Sequence, residues 1–333
     1  MAATASSPYL RGPVSDHLLG WAWLIVALIV WPWRHSSDVL RTLAGIGFII
    51  SFAHQPLTLG LVYGDATRWR SRPVVFSIMP LLAIVGVLAM WTISLPAMAL
   101  IAVAWNAQHT LMQRFGLLRI YGRKNGDRHG ALERSIIITL FIVAVSSIGA
   151  FTDTTWIAPR LGLGMTNRQA IRMLLPFVPY AMPVFALSAV VAAVLIVWWV
   201  RIERRTGGTI AKWSYAAATL GLVALIVIDP VVGIIAYVTA HSIEYVAVVR
   251  ASVLGRRDDA LIARMTRTPP RRALTVLGYI GALAAVVAVA NSVDNGYTFA
   301  ILVFGALHIV FDGMVWKLRR PELSAPLGVP LAI

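Results

Sequence analysis

Cysteine is missing altogether from the 333 residues, which excludes a disulfide framework and any thiolate metal site. Charge is scarce as well: 13% of residues are charged against 59% hydrophobic, and the mean hydropathy is strongly positive. Such a balance leaves too little polar surface for a soluble globule and suits a chain whose solvent is lipid. Acidic residues are the scarcer sign, 14 against 29 basic, for a net charge of +15. A balance so basic often signals nucleic acid. Here the arginines sit in short clusters between apolar runs, as in loops held near anionic lipid headgroups, and nucleic acid is excluded as a partner. The first apolar run, from Leu18, ends in WPWRH and not in a small-residue cleavage site, so it reads as a first span and not as a signal peptide.

What is present is a succession of apolar runs. Roughly 20 residues cross the hydrocarbon, and that length predicts ten spans, near 17–34, 42–64, 72–92, 95–118, 133–151, 178–200, 211–229, 231–250, 272–290 and 296–317. The expected fold is all-α, a polytopic membrane bundle of about ten helices in a single domain, 1–333. Tight turns at Ser94-Leu95-Pro96 and Asp229-Pro230 join the third span to the fourth and the seventh to the eighth. The polar hinge NSVDNG separates the last two. Residues 152–177 form the one long connection, either an amphipathic surface stretch or a segment dipping into the membrane.

Basic residues in short loops set orientation. Arg68, Arg70 and Arg72 follow span two, and Arg119, Arg123, Lys124 and Arg128 follow span four. Arg201, Arg204 and Arg205 follow span six, Arg250, Arg256, Arg257, Arg264 and Arg267 span eight, and Lys317, Arg319 and Arg320 open the tail. The Ser94-Leu95-Pro96 turn, the Asp229-Pro230 turn and the NSVDNG hinge hold no basic residue, so both termini are expected in the cytoplasm and the protein in the cell (inner) membrane. The long connection, with Arg160, Arg168 and Arg172, then falls outside; loops of that length obey the rule less strictly. Arg114 and Arg119, on the inner turn of span four, are expected to snorkel toward headgroups.

Seven histidines divide into two sets. His17 and His35 flank the first span and His129 lies in a basic loop, as surface residues do. His54, His109, His241 and His308 lie inside spans two, four, eight and ten, all running outside to inside. They sit 12 to 14 residues from the outer ends at Arg41, Leu95, Asp229 and Asp294. At about 1.5 Å per residue their depths differ by only a few Å, which predicts one layer of imidazoles. Glu244 stands three residues after His241 and Asp312 four after His308, each on its histidine's helical face. Asn106 and Gln113 flank His109 in the same way. Pro56, two residues after His54, breaks the helical ladder and frees a carbonyl there.

Ionisable groups at this depth are costly unless paired or functional. A lone intramembrane histidine is often only a hydrogen-bond partner between helices. Four at one depth with two carboxylates point instead to a metal site, and imidazole plus carboxylate without sulfur suits iron, zinc, copper or manganese. His54, His109, His241 and His308 are the expected ligands. Glu244 and Asp312 are expected either as further ligands and catalytic carboxylates or as groups that orient the rings. Spans one to four and seven to ten each carry histidine on their second and fourth members, which suggests repeat units 17–118 and 211–317 with 133–200 inserted.

Several stretches around these histidines resemble the Brp/Blh-type membrane β-carotene 15,15'-dioxygenases: ALHIVFDGMVWKLRRP and AHSIEYVAVV, and more loosely FAHQPLTLGLVYGD and NAQHTLMQRFG. The family carries a second histidine where this chain has Tyr245, and an aspartate soon after the first histidine, whereas Asp65 lies eleven residues beyond His54. The resemblance implies a helical membrane fold with iron held by intramembrane histidines. Together these readings favour a metal-dependent oxidoreductase, an oxygenase or hydroxylase using non-haem iron and dioxygen on an apolar lipid-like or isoprenoid substrate. A transporter using the same groups as a metal or proton relay, and a haem protein, remain as alternatives.

Overall fold

A computed structural model describes residues 7–127, 129–254, 261–293, 296–318 and 324–330. Expectations resting on Arg128, Arg256, Arg257, Asp294, Arg319 and Arg320 lie outside the described residues. Among the described residues all regular structure is helical: α1 Pro13–Gly20, α2 Ala22–Val30, α3 Ser37–His54, α4 Leu57–Tyr63, α5 Ala66–Ser71, α6 Pro73–Lys124, α7 Gly130–Phe151, α8 Ile157–Arg160, α9 Met165–Arg172, α10 Ala181–Thr206, α11 Ile210–Ile228, α12 Pro230–Leu254, α13 Leu261–Thr266, α14 Pro269–Asn291 and α15 Gly296–Val315. Eight helices among the described residues are long and apolar enough to cross a membrane, or nine if the first two, bent by 49°, count as one. The protein is a multi-pass membrane protein.

The breaks fall where the chain cannot continue a helix. The 52-residue α6 covers the expected third and fourth spans, and its backbone is non-helical at Ser94 (φ −165, ψ 99), two residues before Pro96. Asp229 ends α11 and caps α12, its Oδ1 accepting from the N–H groups of Val231 and Val232 at 3.0 and 3.1 Å; Pro230 follows in the first helical position, where a missing N–H costs nothing. Pro56 separates α3 from α4. The connection after α7 forms short helical pieces, capped at its start by Asp153 on the Thr155 N–H at 2.9 Å. Ile157, Ala158, Leu161 and Ala170 bury its inner face. Arg41 Nε donates to the Pro159 carbonyl at 3.2 Å, which ties the connection to the start of α3.

The chain divides into two compact units. The first comprises Met1–Ile50, Val103–Glu244 and Gly328–Pro330; the second comprises Ser51–Ala102, Tyr245–Leu327 and Leu331–Ile333. Within the first, α7 packs on α10 and α11, and α1 on α11. Its core runs through Trp23, Leu40, Leu111, Ile137, Leu140, Leu222, Val232 and Ile235. Close approach depends on small residues, as expected where lipid supplies no hydrophobic drive between helices. A Cβ on Gly221 would lie 2.8 Å from the Trp23 ring, so α11 and α2 meet there only because the side chain is absent. Within the second unit α15 packs on α4 and α14, with Phe311, Leu307, Val62 and Phe76 at the centre. Leucines and valines such as Leu187 and Val190 on α10, and Leu274 and Leu277 on α14, are exposed, the surface a lipid solvent requires.

Candidate metal centre

In the second unit, the end of α3, the first turn of α4 and the middle of α15 bring four polar side chains into the apolar interior, and α12 adds a fifth. His54 and His308 face each other with Nε2 atoms 3.2 Å apart, both rings 1% exposed. Asp312, one turn below His308 on α15, lies with a carboxylate oxygen 3.7 Å from His308 Nε2, as the four-residue spacing requires. Thr58 joins the set: its Oγ1 is 2.7 Å from His308 Nδ1 and 2.9 Å from Asp312 Oδ1. Tyr245, on α12, completes it, with its hydroxyl 2.9 Å from Asp312 Oδ1 and 2.5 Å from Thr58 Oγ1. The phenol ring packs against both imidazoles, at centroid separations of 5.1 and 4.9 Å.

The break after His54 is what admits Thr58 to this group. Proline at position 56 has no N–H to donate back to Phe52, and the chain closes the gap with a tighter bond from the Gln55 N–H. The carbonyl that Pro56 frees, that of Phe52, is thus taken by Gln55, and the next one, that of Ala53, accepts from the Tyr279 hydroxyl of α14. Tyr279 thus finishes the end of α3 beside His54.

In the first unit a second pair forms. His109 on α6 and His241 on α12 lie edge to face with ring centroids 5.5 Å apart. Gln113, one turn beyond His109, donates to the main-chain carbonyl of His241 at 3.1 Å. Glu244 does not face its histidine alone. Arg114 Nη2 donates to Glu244 Oε1 at 2.6 Å, and the Tyr215 hydroxyl donates to Oε2 at 3.2 Å, so each carboxylate oxygen has a partner. Arg114 is 1% exposed and gives a further bond to Thr219 at 3.2 Å. Arg119 is buried too, donating to Asp127 and Glu133 at 2.9 and 2.7 Å. The expectation that these arginines snorkel is therefore corrected. Each is held by a carboxylate inside the first unit through charge-assisted hydrogen bonds.

The remaining histidines lie apart from both pairs. His35 is exposed, His17 is half-buried with Nδ1 2.8 Å from Ser214 Oγ, and His129 is half-buried ahead of α7. Asp65 caps α5, accepting from the N–H groups of Thr67 and Arg68, and pairs with the Arg68 side chain at 3.1 Å. Thr58, Tyr215 and Tyr279 escaped the sequence reading, because a hydroxyl in an apolar run is unremarkable until its partner, far along the chain, is known.

Chemically, the buried histidines His54 and His308 of the second unit could contribute ligands to a metal ion. The spacing of the pair in the second unit fits one. Two imidazoles bound side by side at ~2.1 Å would set their nitrogens ~3.0–3.4 Å apart, and the observed 3.2 Å falls in that range. The far nitrogen of His308 is also engaged, as metal-bound histidines generally require. No protein-family model matches the chain, and neither a curated protein nor a solved structure does.

Proposed function

We propose that the protein is a membrane-embedded oxygenase or hydroxylase that uses non-haem iron on an apolar, lipid-like or isoprenoid substrate. The observation that carries this reading is the buried His54–His308 pair, with its ring nitrogens at a spacing suited to neighbouring ligands of one ion. His54 and His308 would hold the iron. Iron bound there would supply activation of dioxygen. The chain's own groups exclude water, since both imidazoles are 1% exposed and the buried Tyr245 ring packs on each of them. They also orient a ligand, through Thr58 and Asp312 on His308. A substrate dissolved in the bilayer reaches such a site without crossing water. The likeness of the histidine-bearing stretches to the Brp/Blh-type dioxygenases supports iron over zinc, copper or manganese.

A haem is a poorer fit to this pair. Axial imidazoles on opposite faces of one iron would stand ~4 Å apart with the macrocycle between them, not 3.2 Å with their nitrogens in direct contact. We further place the protein in the inner membrane with both termini in the cytoplasm, on the strength of the basic loops.

Metal analysis of protein purified anaerobically tests the proposal. Wild type should carry iron and consume dioxygen when given an isoprenoid substrate. His54→Ala and His308→Ala should each lose most of the metal, and His35→Ala should keep it. Full metal content in both alanine variants would end the reading, and metal uptake by vesicles without dioxygen consumption would make the protein a transporter.

A further inference from the structure

We infer that Gln55 recognises the substrate, and that this substrate is an isoprenoid alcohol whose hydroxyl meets the Gln55 amide. This deepens the oxygenase reading above and rests on it for the bound molecule being a substrate. The recognition itself rests on the surroundings of Gln55.

Gln55 stands between His54 and Pro56, at the break between α3 and α4. Its main chain is fully used there: the N–H donates to the Phe52 carbonyl at 3.2 Å, and the carbonyl accepts from the Thr58 N–H at 3.3 Å. The side chain takes no part in this local pairing. Gln55 is only 7% exposed, yet its Oε1 has no hydrogen-bond partner among the described residues. Buried polar atoms of folded proteins nearly always have one, so an amide oxygen left bare in an apolar interior points to a partner outside the chain. Phe52, three residues back, and Phe304, beside Gly305, present rings that neither donate nor accept.

The amide lies against α15 at Gly305. A Cβ there would have Oε1, Nε2 and Cδ of Gln55 as its nearest neighbours, at 3.7, 3.8 and 3.9 Å. Glycine leaves α15 with nothing to lay over the amide, where a longer side chain would cover it. Gly305 precedes His308 by three residues, so the amide and the His54–His308 pair meet one face of α15 a single turn apart, about 4.5 Å along its axis. The chemistry of the partner follows from the amide. Its oxygen needs a donor and its nitrogen an acceptor, and a hydroxyl supplies either. A charged headgroup would lose its hydration at this depth, and a pure hydrocarbon would leave the oxygen bare. A neutral hydroxyl on an apolar chain fits. Anchored there, it fixes which carbons of the chain lie beside the histidine pair.

The test measures binding of two tritiated probes to the full-length, metal-free protein in one detergent, with concentrations counted per mole of micelle. One probe is geranylgeraniol; the other is the matching hydrocarbon, with a methyl in place of the CH2OH. Wild type should bind the alcohol about 10- to 100-fold more tightly, the usual loss when a buried polar atom is left without its partner. Gln55→Met, close in shape but apolar, should abolish the preference. Equal binding of both probes by wild type, or binding of neither, overturns the inference even if Gln55→Met fails to fold; the amide is then satisfied by water alone. A Gln55→Met protein that keeps the preference also overturns it, because the hydroxyl is then held elsewhere. Iron content and dioxygen consumption are read separately. A preference that depends on Gln55 in a protein without iron leaves the recognition site standing and removes the oxygenase reading. Iron and dioxygen consumption without that preference do the reverse.

Discussion

Arg114 and Glu244 bring a full positive and a full negative charge into the interior of the first unit, where neither is accessible to water. Neither charge is tolerable alone. The guanidinium is satisfied by Glu244, Thr219 and the face of the Tyr215 ring 5.4 Å away, and the carboxylate by Arg114 and the Tyr215 hydroxyl. Such a pair adds little net stability over well-packed apolar residues, but breaking it strands a charge at a cost of roughly 3–5 kcal/mol. Arg114→Met is accordingly expected to destabilise by about that amount, and Glu244→Leu similarly. The double variant should lose far less than the sum, because no charge is then left unpaired. Unfolding in mixed detergent micelles measures all three, and additive losses would show that the two side chains do not depend on each other. The same residues show what a single sequence conceals. The three-residue spacing puts Glu244 on the face of His241, but no local pattern indicates that Arg114, 130 positions earlier, takes one of its oxygens.

Helix ends in the first unit are held by a second charged group of a different kind. Asp127 in the α6–α7 loop, Glu133 on α7, Glu203 on α10, and the cations Arg119 on α6 and Lys212 on α11 interlock. Lys212 bonds Asp127 and Glu203 directly and reaches Glu133 at 2.6 Å, so a single ammonium ties together α7, α10 and the loop. Burial alone would raise the Asp127 carboxyl, but the Lys212 hydrogen bond, the His129 N–H and the charges of Lys212 and Arg119 outweigh it and bring it down to about 2 from 3.8. A carboxyl held below its unfolded value stabilises the fold above about pH 4, and that contribution is lost as pH falls from about 4 through 2. Acid unfolding followed by tryptophan fluorescence should therefore steepen in this window for wild type. Asp127→Asn should be less stable at neutral pH and flatter below pH 4; an unchanged acid profile would mean that the group does not hold these helix ends. The elements themselves were legible: Pro56, Ser94-Leu95-Pro96 and Asp229-Pro230 each mark an observed break, because proline's missing N–H acts locally. The short-range pairing of His308 with Asp312 was legible for the same reason. Thr58 and Tyr245 were not, since their roles arise only where α4, α12 and α15 meet.

At the scale of the whole molecule, the lack of cysteine becomes an experimental advantage, and the distribution of charge carries the topology. Arginines and lysines crowd alternate connections, and Arg201, Arg204 and Arg205 at the end of α10 stand against a last connection, between α14 and α15, with no basic residue. Moving a basic loop across the membrane against the positive-inside bias is unfavourable, and this asymmetry is the ground for the proposed orientation. The Arg119–Lys212 cluster belongs to the same side, because it joins the last turn of α6 and α10 to the first turn of α7 and α11. A single cysteine introduced at Thr206, exposed at the end of α10, should escape a membrane-impermeant maleimide in intact cells and react once the cells are opened. One introduced at Ser292, exposed just after α14, should react in intact cells. Among the described residues three long apolar helices, α11, α12 and α14, lie between these two positions. An odd number of crossings therefore separates them, and they must label oppositely whichever way the protein is inserted. Labelling of Thr206→Cys but not Ser292→Cys would invert the orientation, while equal labelling of both would mean that one of α11, α12 and α14 does not cross.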